Sequence, residues 1–127
     1  MNNLFLVGAG GFIGSVLRYW MSGYIQQLAK DTVFPFGTFA VNFLGCLMIG
    51  FLSQLAEDYG IFTGEARVLV FVGFLGGFTT FSTFGNETMN LLRDGQNLLA
   101  FGNITGHFIF GLGAVWLGRS IAYLIWR

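Results

Sequence analysis

The residues best suited to chemistry lie between Gly73 and Asn86, in the segment GFLGGFTTFSTFGN. Glycines precede four hydroxyl side chains, with phenylalanines between and after these hydroxyls. Because glycine and β-branched threonine are poor helix formers, we expect a helix through this segment to break near residues 76–80. Carbonyls freed by the break could hold a cation, and freed N–H groups could face an anion. The alternative is a packing kink in which the hydroxyls bond to the preceding turn.

Phe81 and Phe84 are three residues apart, so they share one face of a helix. An aromatic ring has a negative face and a positive edge. Ring edges beside hydroxyl groups could therefore attract an anion without binding it tightly. Because the chain has 16 phenylalanines, contact with lipid or with the protein core is the alternative for both.

Four further polar residues lie within apolar stretches: Asn42, His107, Arg18 and Glu87. The Asn42 amide could donate to an anion or could hold a neighbouring helix. The only histidine, His107, is interpreted as an interhelical hydrogen-bond donor rather than a proton relay. Arg18 and Glu87 lie nearer the ends of their stretches, so each could line a vestibule or snorkel to the membrane surface.

Composition places these residues in a membrane protein. Of 127 residues, 54% are hydrophobic and 9% are charged. A typical soluble domain carries roughly 25% charged residues, so this chain could not cover a surface in water. A formal net charge of zero gives no basic patch for nucleic acid. The single cysteine, Cys46, is interpreted as a core residue, since it can form no intrachain disulfide.

The apolar stretches predict an all-α fold with four transmembrane helices, since a helix needs about 20 apolar residues to cross the hydrocarbon core. They cover approximately residues 4–24, 36–55, 68–92 and 98–126, and residues 1–127 form a single membrane domain. The start of the chain lacks the positive region of a signal peptide, so we expect the first stretch to be a mature helix. Small residues at Gly10/Gly14, Gly73/Gly77 and Gly102/Gly106 would let helices approach closely.

The basic residues give no preferred orientation in the membrane. With four spans, Arg67, Arg119 and Arg127 lie on one side, and Arg18, Lys30 and Arg93 lie on the other. Because lysine and arginine near span ends set orientation, we predict that both orientations occur and that opposite copies pair as an antiparallel dimer. The alternative is that two of these arginines are buried and the count carries no meaning.

A glycine pattern near the start, Gly8, Gly11 and Gly14, imitates a dinucleotide-binding turn. That turn requires a preceding strand and a following βαβ unit. Membrane spans follow instead, so these glycines are interpreted as packing residues.

The chain resembles the Fluc (CrcB) family of fluoride channels over its whole length, and three segments carry the resemblance. They are GGFIG at 10–14 followed by Arg18 and Tyr19, GTFAVN at 37–42 with Gly45, and GFTTFSTF at 77–84. The resemblance implies passive, fluoride-selective export through two pores of an antiparallel homodimer in the cell inner membrane. It also implies lipid and fluoride as partners. We expect no enzymatic activity, because the spans contain no paired nucleophile and base and no metal-binding cluster.

The resemblance further implies a role for each site residue. Phe81 and Phe84 would match an aromatic box beside the fluoride path, and Asn42 would match its amide. Ser82 and Thr83 would match a polar track, with His107 and Glu87 nearby, although the family's tyrosine at the position of His107 makes that residue a departure. Arg18 would match a vestibule arginine. Backbone carbonyls of Gly76 and Thr79 from both subunits would hold a central sodium ion.

The main alternative function is a small multidrug-type, proton-coupled exporter, which is also short and spans the membrane four times. Such an exporter needs a membrane-embedded carboxylate, and the charged residue of the first stretch is Arg18. An accessory subunit without transport activity is a third hypothesis, which the cluster of hydroxyls and phenylalanines disfavours.

Overall fold

The computed structural model describes residues 2–126 and contains four helical spans long and apolar enough to cross a membrane. No strand occurs among these residues. The all-α, four-span prediction is therefore confirmed. The elements are α1 (Asn2–Leu28), α2 (Phe36–Tyr59), α3 (Gly64–Arg67), the π-helix π1 (Val68–Leu75), α4 (Gly76–Phe78), α5 (Phe81–Arg93) and α6 (Asn97–Ile125).

Most helices extend beyond the predicted apolar stretches, which leaves short connections at residues 29–35, 60–63 and 94–96. The helix α2 continues through Glu57 and Asp58, because charged residues at a span end reach the membrane surface without interrupting the helix. It ends at Gly60, whose φ of 58° is left-handed and suits glycine. The apolar residues therefore indicate which part of each helix lies in the membrane core, but the helix itself is longer than that part.

The third span breaks inside the predicted segment. Its parts α3, π1 and α4 run from Gly64 to Phe78, and α5 begins at Phe81. Thr79 and Thr80 lie between them in extended conformation, with ψ values of 161° and 118°. The break predicted for residues 76–80 is confirmed. The π-helical turn before it was not predicted, because the apolar run VLVFVGFL contains no residue that marks the wider turn.

The break allows the third span to change neighbours. Its first half, π1 and α4, packs against α1, whereas α5 packs against α6. The helix α2 packs extensively on α6 and also contacts α1 and both halves of the third span. The residues of the break are therefore positioned by α2.

Glycines produce the closest approaches between the spans. Gly10 and Gly14 are buried against the backbone of π1 and α4, opposite Gly73 and Gly77, so the first two glycine pairs face each other. A Cβ on Gly77 would lie 2.7 Å from the Gly11 carbonyl oxygen. In the third pair, Gly106 contacts a phenylalanine ring and Gly102 has open space beside it.

The dinucleotide-like glycines lie within the continuous helix α1. The packing interpretation holds for Gly14 and Gly11, which approach π1 and α4, but is wrong for Gly8, which is exposed with open space beside it. A second close approach, between α2 and α6, was missed. There Gly50 contacts Val115 and Gly118 contacts Leu47.

Candidate functional site

The break opens onto an apolar groove of about 410 Å³ between α2, α6 and the third span. The groove brings together six of the predicted site residues, which are Asn42, Gly76, Thr79, Phe81, Phe84 and His107. Four others lie outside its walls, namely Arg18, Ser82, Thr83 and Glu87. The polar side chains around the groove are amide, hydroxyl, thiol and imidazole, its other side chains are aromatic or aliphatic, and no charged side chain of residues 2–126 lines it.

Asn42 holds the break through two hydrogen bonds to one residue. Its Nδ2 donates to the Thr80 carbonyl at 3.0 Å, and its Oδ1 accepts from the Thr80 N–H at 2.8 Å. The side-chain amide of α2 therefore replaces a helical partner for both backbone groups of Thr80. Irregular backbone at membrane depth requires such replacement, because lipid supplies no hydrogen bonds.

This pairing frees the carbonyl of Gly76. In an uninterrupted helix the Thr80 N–H would donate to the carbonyl four residues earlier. That N–H instead donates to Asn42. In the same way, the Thr83 N–H donates to the Thr80 hydroxyl at 3.2 Å and leaves the Thr79 carbonyl without its helical donor. The two carbonyls predicted to face a cation are thus the two whose helical partners are captured by side chains.

The other side of the break presents N–H groups, because the first N–H groups of a helix have no intrahelical acceptor. For Phe81 that acceptor would be the Gly77 carbonyl, which instead accepts from the Arg18 Nε at 2.9 Å. Arg18 therefore reaches from α1 to the carbonyl end of the break. The N–H groups of Phe81 and Ser82 begin α5, where the helix dipole favours negative charge.

The aromatic side chains surround the open face of the break. The rings of Phe81 and Phe84 lie 5.6 Å apart between centroids at an angle of 48°. Phe84 is 7% exposed and Phe81 is 79% exposed in the single protomer. The predicted pair therefore consists of one buried ring and one ring that is free to meet lipid, an ion or a second copy.

His107 is packed between two rings and bonded at both nitrogens. Its centroid lies 4.3 Å from that of Phe84 and 5.1 Å from that of Phe39. The Nε2 atom lies 3.1 Å from the Asn42 Nδ2, and the Nδ1 atom lies 2.9 Å from the Asn103 carbonyl oxygen. An interhelical hydrogen bond is present as expected, but the predicted role of donor is wrong: the imidazole accepts from α2, since the Asn42 nitrogen can only donate.

The remaining predicted residues lie beside α5. The Thr80 hydroxyl donates to the Thr83 hydroxyl at 2.9 Å and lies 3.5 Å from that of Ser82. Glu87 accepts at Oε1 from the Thr38 hydroxyl at 2.8 Å, and its buried Oε2 has no hydrogen-bond partner among the described residues. Glu87 therefore points toward α2 instead of snorkelling away from the protein.

Sequence reasoning missed three polar residues that complete this arrangement: Thr38, Thr80 and Asn103. Thr38 and Asn103 are buried, and the Asn103 amide donates to the Thr88 hydroxyl at 2.9 Å. Polar residues buried within an apolar span are a usable signal for such positions. Thr80 belonged to the segment singled out, but its role depends on contact with α2.

The four apolar spans indicate a multi-pass membrane protein. Its broken third span presents uncharged polar groups of the kind that can contact an ion. A family described as "CrcB-like protein, Camphor Resistance (CrcB)" matches residues 5–119. A "Fluoride-specific ion channel FluC" of Chlorobaculum tepidum is 48% identical over 124 residues, covering 98% of this chain and 97% of the relative. A relative of the same name from Methylobacillus flagellatus is 46% identical over 121 residues, covering 95% and 94%.

A more distant relative, "Fluoride-specific ion channel FluC 3" of Methanosarcina barkeri, is 39% identical over 122 residues, covering 96% of this chain and 91% of the relative. The chain belongs to the CrcB family. The family resemblance drawn from the three sequence segments is confirmed.

Replacing Asn42 with alanine is expected to destabilise the protein, because it leaves both Thr80 backbone groups without a partner in a membrane. Each unsatisfied buried group costs about 1–3 kcal/mol, so the free energy of unfolding should fall by at least about 2 kcal/mol. Chemical denaturation in detergent micelles measures this change. The matched control is Asn86→Ala on the exposed side of α5, which should change the free energy little. Equal effects of the two substitutions would contradict the role of Asn42 in holding the Thr80 backbone.

Proposed function

We propose that this protein is a fluoride-selective channel that lets fluoride leave the cell passively. The observation that carries this proposal is the pair Phe81 and Phe84 at the opening of the broken span, in a chain whose relatives are named fluoride-specific ion channels. Conduction by such a site involves no bond-making step, so the protein acts as a channel rather than an enzyme. Its location is the cell inner membrane.

The groove suits a small, strongly hydrated anion. Passage requires donors that replace water, at sites weak enough for the ion to leave. Ring edges of Phe81 and Phe84 supply partial positive charge in the groove. The N–H groups that begin α5 and the hydroxyls of Ser82 and Thr83, which lie outside the groove wall on the same helix, would supply more along the path. A cationic side chain in direct contact with fluoride would hold the anion too strongly for rapid conduction.

The path continues along α5 beyond the phenylalanines. His107 and Asn42 lie at the level of Phe84, and the Thr38–Glu87 pair lies about one helical turn further along α5. We assign Asn42 and His107 to the wall of the pore and Glu87 to its end. Arg18, bound to the carbonyl end of the break, contributes positive potential that draws anions to this depth of the membrane.

The exporter alternative receives no support from the site. A proton-coupled exporter needs a membrane-embedded carboxylate in the first span. Arg18 is the charged residue within α1. The one carboxylate near the groove, Glu87, belongs to α5.

Two copies in opposite orientation form the functional unit, with two pores. One protomer leaves Phe81, Val72 and Gly76 exposed beside the break, and a partner covers them. Arg18 bonds within the span, so it is not a loop charge. The loop and end residues are then Lys30 and Arg93 on one side against Arg67, Arg119 and Arg127 on the other. This small difference sets no firm orientation.

The freed carbonyls fit a structural sodium ion at the interface between the copies. Gly76 is exposed, and a Cβ built there meets only one atom within 4 Å, the Phe71 oxygen at 3.9 Å. Carbonyl oxygens at the C-terminal end of a half-helix favour a hard cation. No cluster of acidic or other metal-binding side chains competes for a cation among residues 2–126. The Gly76 and Thr79 carbonyls of both subunits would hold sodium, which would offset part of the cost of bringing an anion to mid-membrane.

Reconstituted wild-type protein should release fluoride from liposomes rapidly once a potassium ionophore balances the charge, and should not release chloride. Phe81→Ile should reduce fluoride efflux by at least about tenfold, because the polarised ring edge is lost while an apolar side chain remains. A fluoride electrode measures the efflux. The matched control is Phe5→Ile, an exposed phenylalanine near the start of α1, which should retain wild-type efflux. Absence of fluoride flux from well-folded wild-type dimers would reject the channel.

Antiparallel pairing predicts that about half the copies expose the connection between α1 and α2 outside the cell. Lys30→Cys in a Cys46→Ala background places a single, exposed thiol there. A membrane-impermeant maleimide applied to intact cells should label about half of this protein, and lysed cells should label fully. Labelling of nearly all or nearly none of the intact-cell protein would establish one orientation and contradict the antiparallel dimer.

Removing sodium should weaken the dimer. Purification in buffers that replace sodium with N-methylglucamine at equal ionic strength should increase the monomer fraction and lower fluoride efflux, and returned sodium should restore both. Size-exclusion chromatography with light scattering measures the oligomeric state. A dimer of unchanged stability, with unchanged efflux and no bound sodium by elemental analysis, would exclude the ion.

A further inference from the structure

The His107 imidazole occupies a position in which each ring nitrogen has one fixed role. The Asn42 Nδ2 approaches Nε2 to 3.1 Å, and the Asn103 carbonyl oxygen approaches Nδ1 to 2.9 Å. The backbone of Thr80 fixes the orientation of the Asn42 amide, because its N–H requires an acceptor and its carbonyl requires a donor. The amide nitrogen must therefore face His107, and Nε2 must accept.

The second contact independently requires the same tautomer. A backbone carbonyl can only accept, so Nδ1 must carry the proton that is donated to Asn103. Two unrelated neighbours, one on α2 and one on α6 itself, thus assign the neutral imidazole with its hydrogen on Nδ1. Both N–H groups of the Asn42 amide are consequently occupied, one by the Thr80 carbonyl and one by His107.

The ring has little freedom to adopt another arrangement. Phe39 on α2 and Phe84 on α5 pack on it from both helices that adjoin α6 here. The titratable groups on those helices nearest to the ring are Cys46, which lines the same groove, and Glu87, whose Oε1 is bound by Thr38. Neither has a hydrogen bond to His107 among the described residues, so no charged partner stands ready to balance an imidazolium.

We propose that His107 is the positioning residue of the pore amide: its neutral Nδ1–H tautomer orients Asn42 through the Nε2 acceptor, and a second proton on Nε2 disassembles the site. The proposal rests on the proposed channel function. Protonation would place two donors against each other across the contact with Asn42. Since Thr80 prevents the amide from turning over, either the ring withdraws or the amide leaves the break.

Two variants separate positioning from packing. His107→Gln can place its carbonyl oxygen near the position of Nε2 and accepts without titrating. His107→Phe keeps an aromatic ring between Phe39 and Phe84 and removes both nitrogens. Fluoride current should be retained within about threefold in the glutamine variant and should fall by about tenfold in the phenylalanine variant, the change expected for loss of one ordinary hydrogen bond.

Imidazole titrates in the range from about pH 5 to pH 8, so acid provides a second readout. Current through planar bilayers reports ionic fluoride alone, because neutral hydrogen fluoride carries no charge. Wild-type current should decrease on acidification in proportion to the neutral fraction of His107, over the pH range in which the ring titrates. The glutamine variant should change by less than about twofold over the same range.

The decisive measurement does not depend on transport. His107 is the only histidine in the chain, so protein labelled with ¹⁵N-histidine, freed of any purification tag and placed in lipid nanodiscs, gives a single imidazole spectrum. We expect the Nδ1–H tautomer at neutral pH, with an Nε2 shift that changes in Asn42→Ala. An Nε2–H tautomer, an imidazolium at neutral pH, or wild-type current in a dimeric His107→Phe variant would overturn the proposal. Absence of wild-type current at every pH, with the expected spectrum, would reject the channel while leaving the positioning of Asn42 intact.

Discussion

The two hydrogen bonds between Asn42 and Thr80 are the constraint on which the site depends. A helix interrupted at membrane depth leaves backbone groups that lipid cannot satisfy, so the interruption persists only where protein replaces the lost bonds. The Asn42 amide does this with one donor and one acceptor at 3.0 and 2.8 Å. Because α2 supplies the amide, the break is a property of packing between two spans and not of local propensity alone.

Once the break exists, its two ends acquire opposite chemistry. Carbonyls of Gly76 and Thr79 lose their helical donors to side chains, and the N–H groups that begin α5 have no carbonyl before them. The third span also changes neighbours here, since its first half packs against α1 and its second half packs against α6. A single interruption therefore provides an end with freed carbonyls, an end with freed N–H groups, and a groove lined by residues from three spans.

The sequence predicted the spans and the break in the third span better than it predicted the contacts that one span makes with another. The low helix propensity of Gly76, Gly77, Thr79 and Thr80 was enough to predict where the span breaks, and hydropathy was enough to predict four spans. The hydrogen bonds between Asn42 and Thr80 join residues 38 positions apart. Spacing along the chain does not specify how α2 is rotated toward the third span. The Thr38–Glu87 contact was missed for the same reason, since it joins residues 49 positions apart. The π-helical turn was missed because the apolar run contains no residue that marks it. The roles in conduction assigned to Phe81, Phe84 and their neighbours remain predictions.

In the proposed channel, the distribution of charge around the break would let a neutral groove attract an anion. Arg18 is a positively charged side chain bonded to the break: it donates to the Gly77 carbonyl from the α1 side. The groove lies toward α2 and α6, where amide, hydroxyl and aromatic groups line it. Long-range attraction and short-range contact are thereby assigned to different residues. In the proposed channel, an anion in the groove would gain from the positive potential without contacting a cationic side chain, and the weak contacts that remain would allow it to leave.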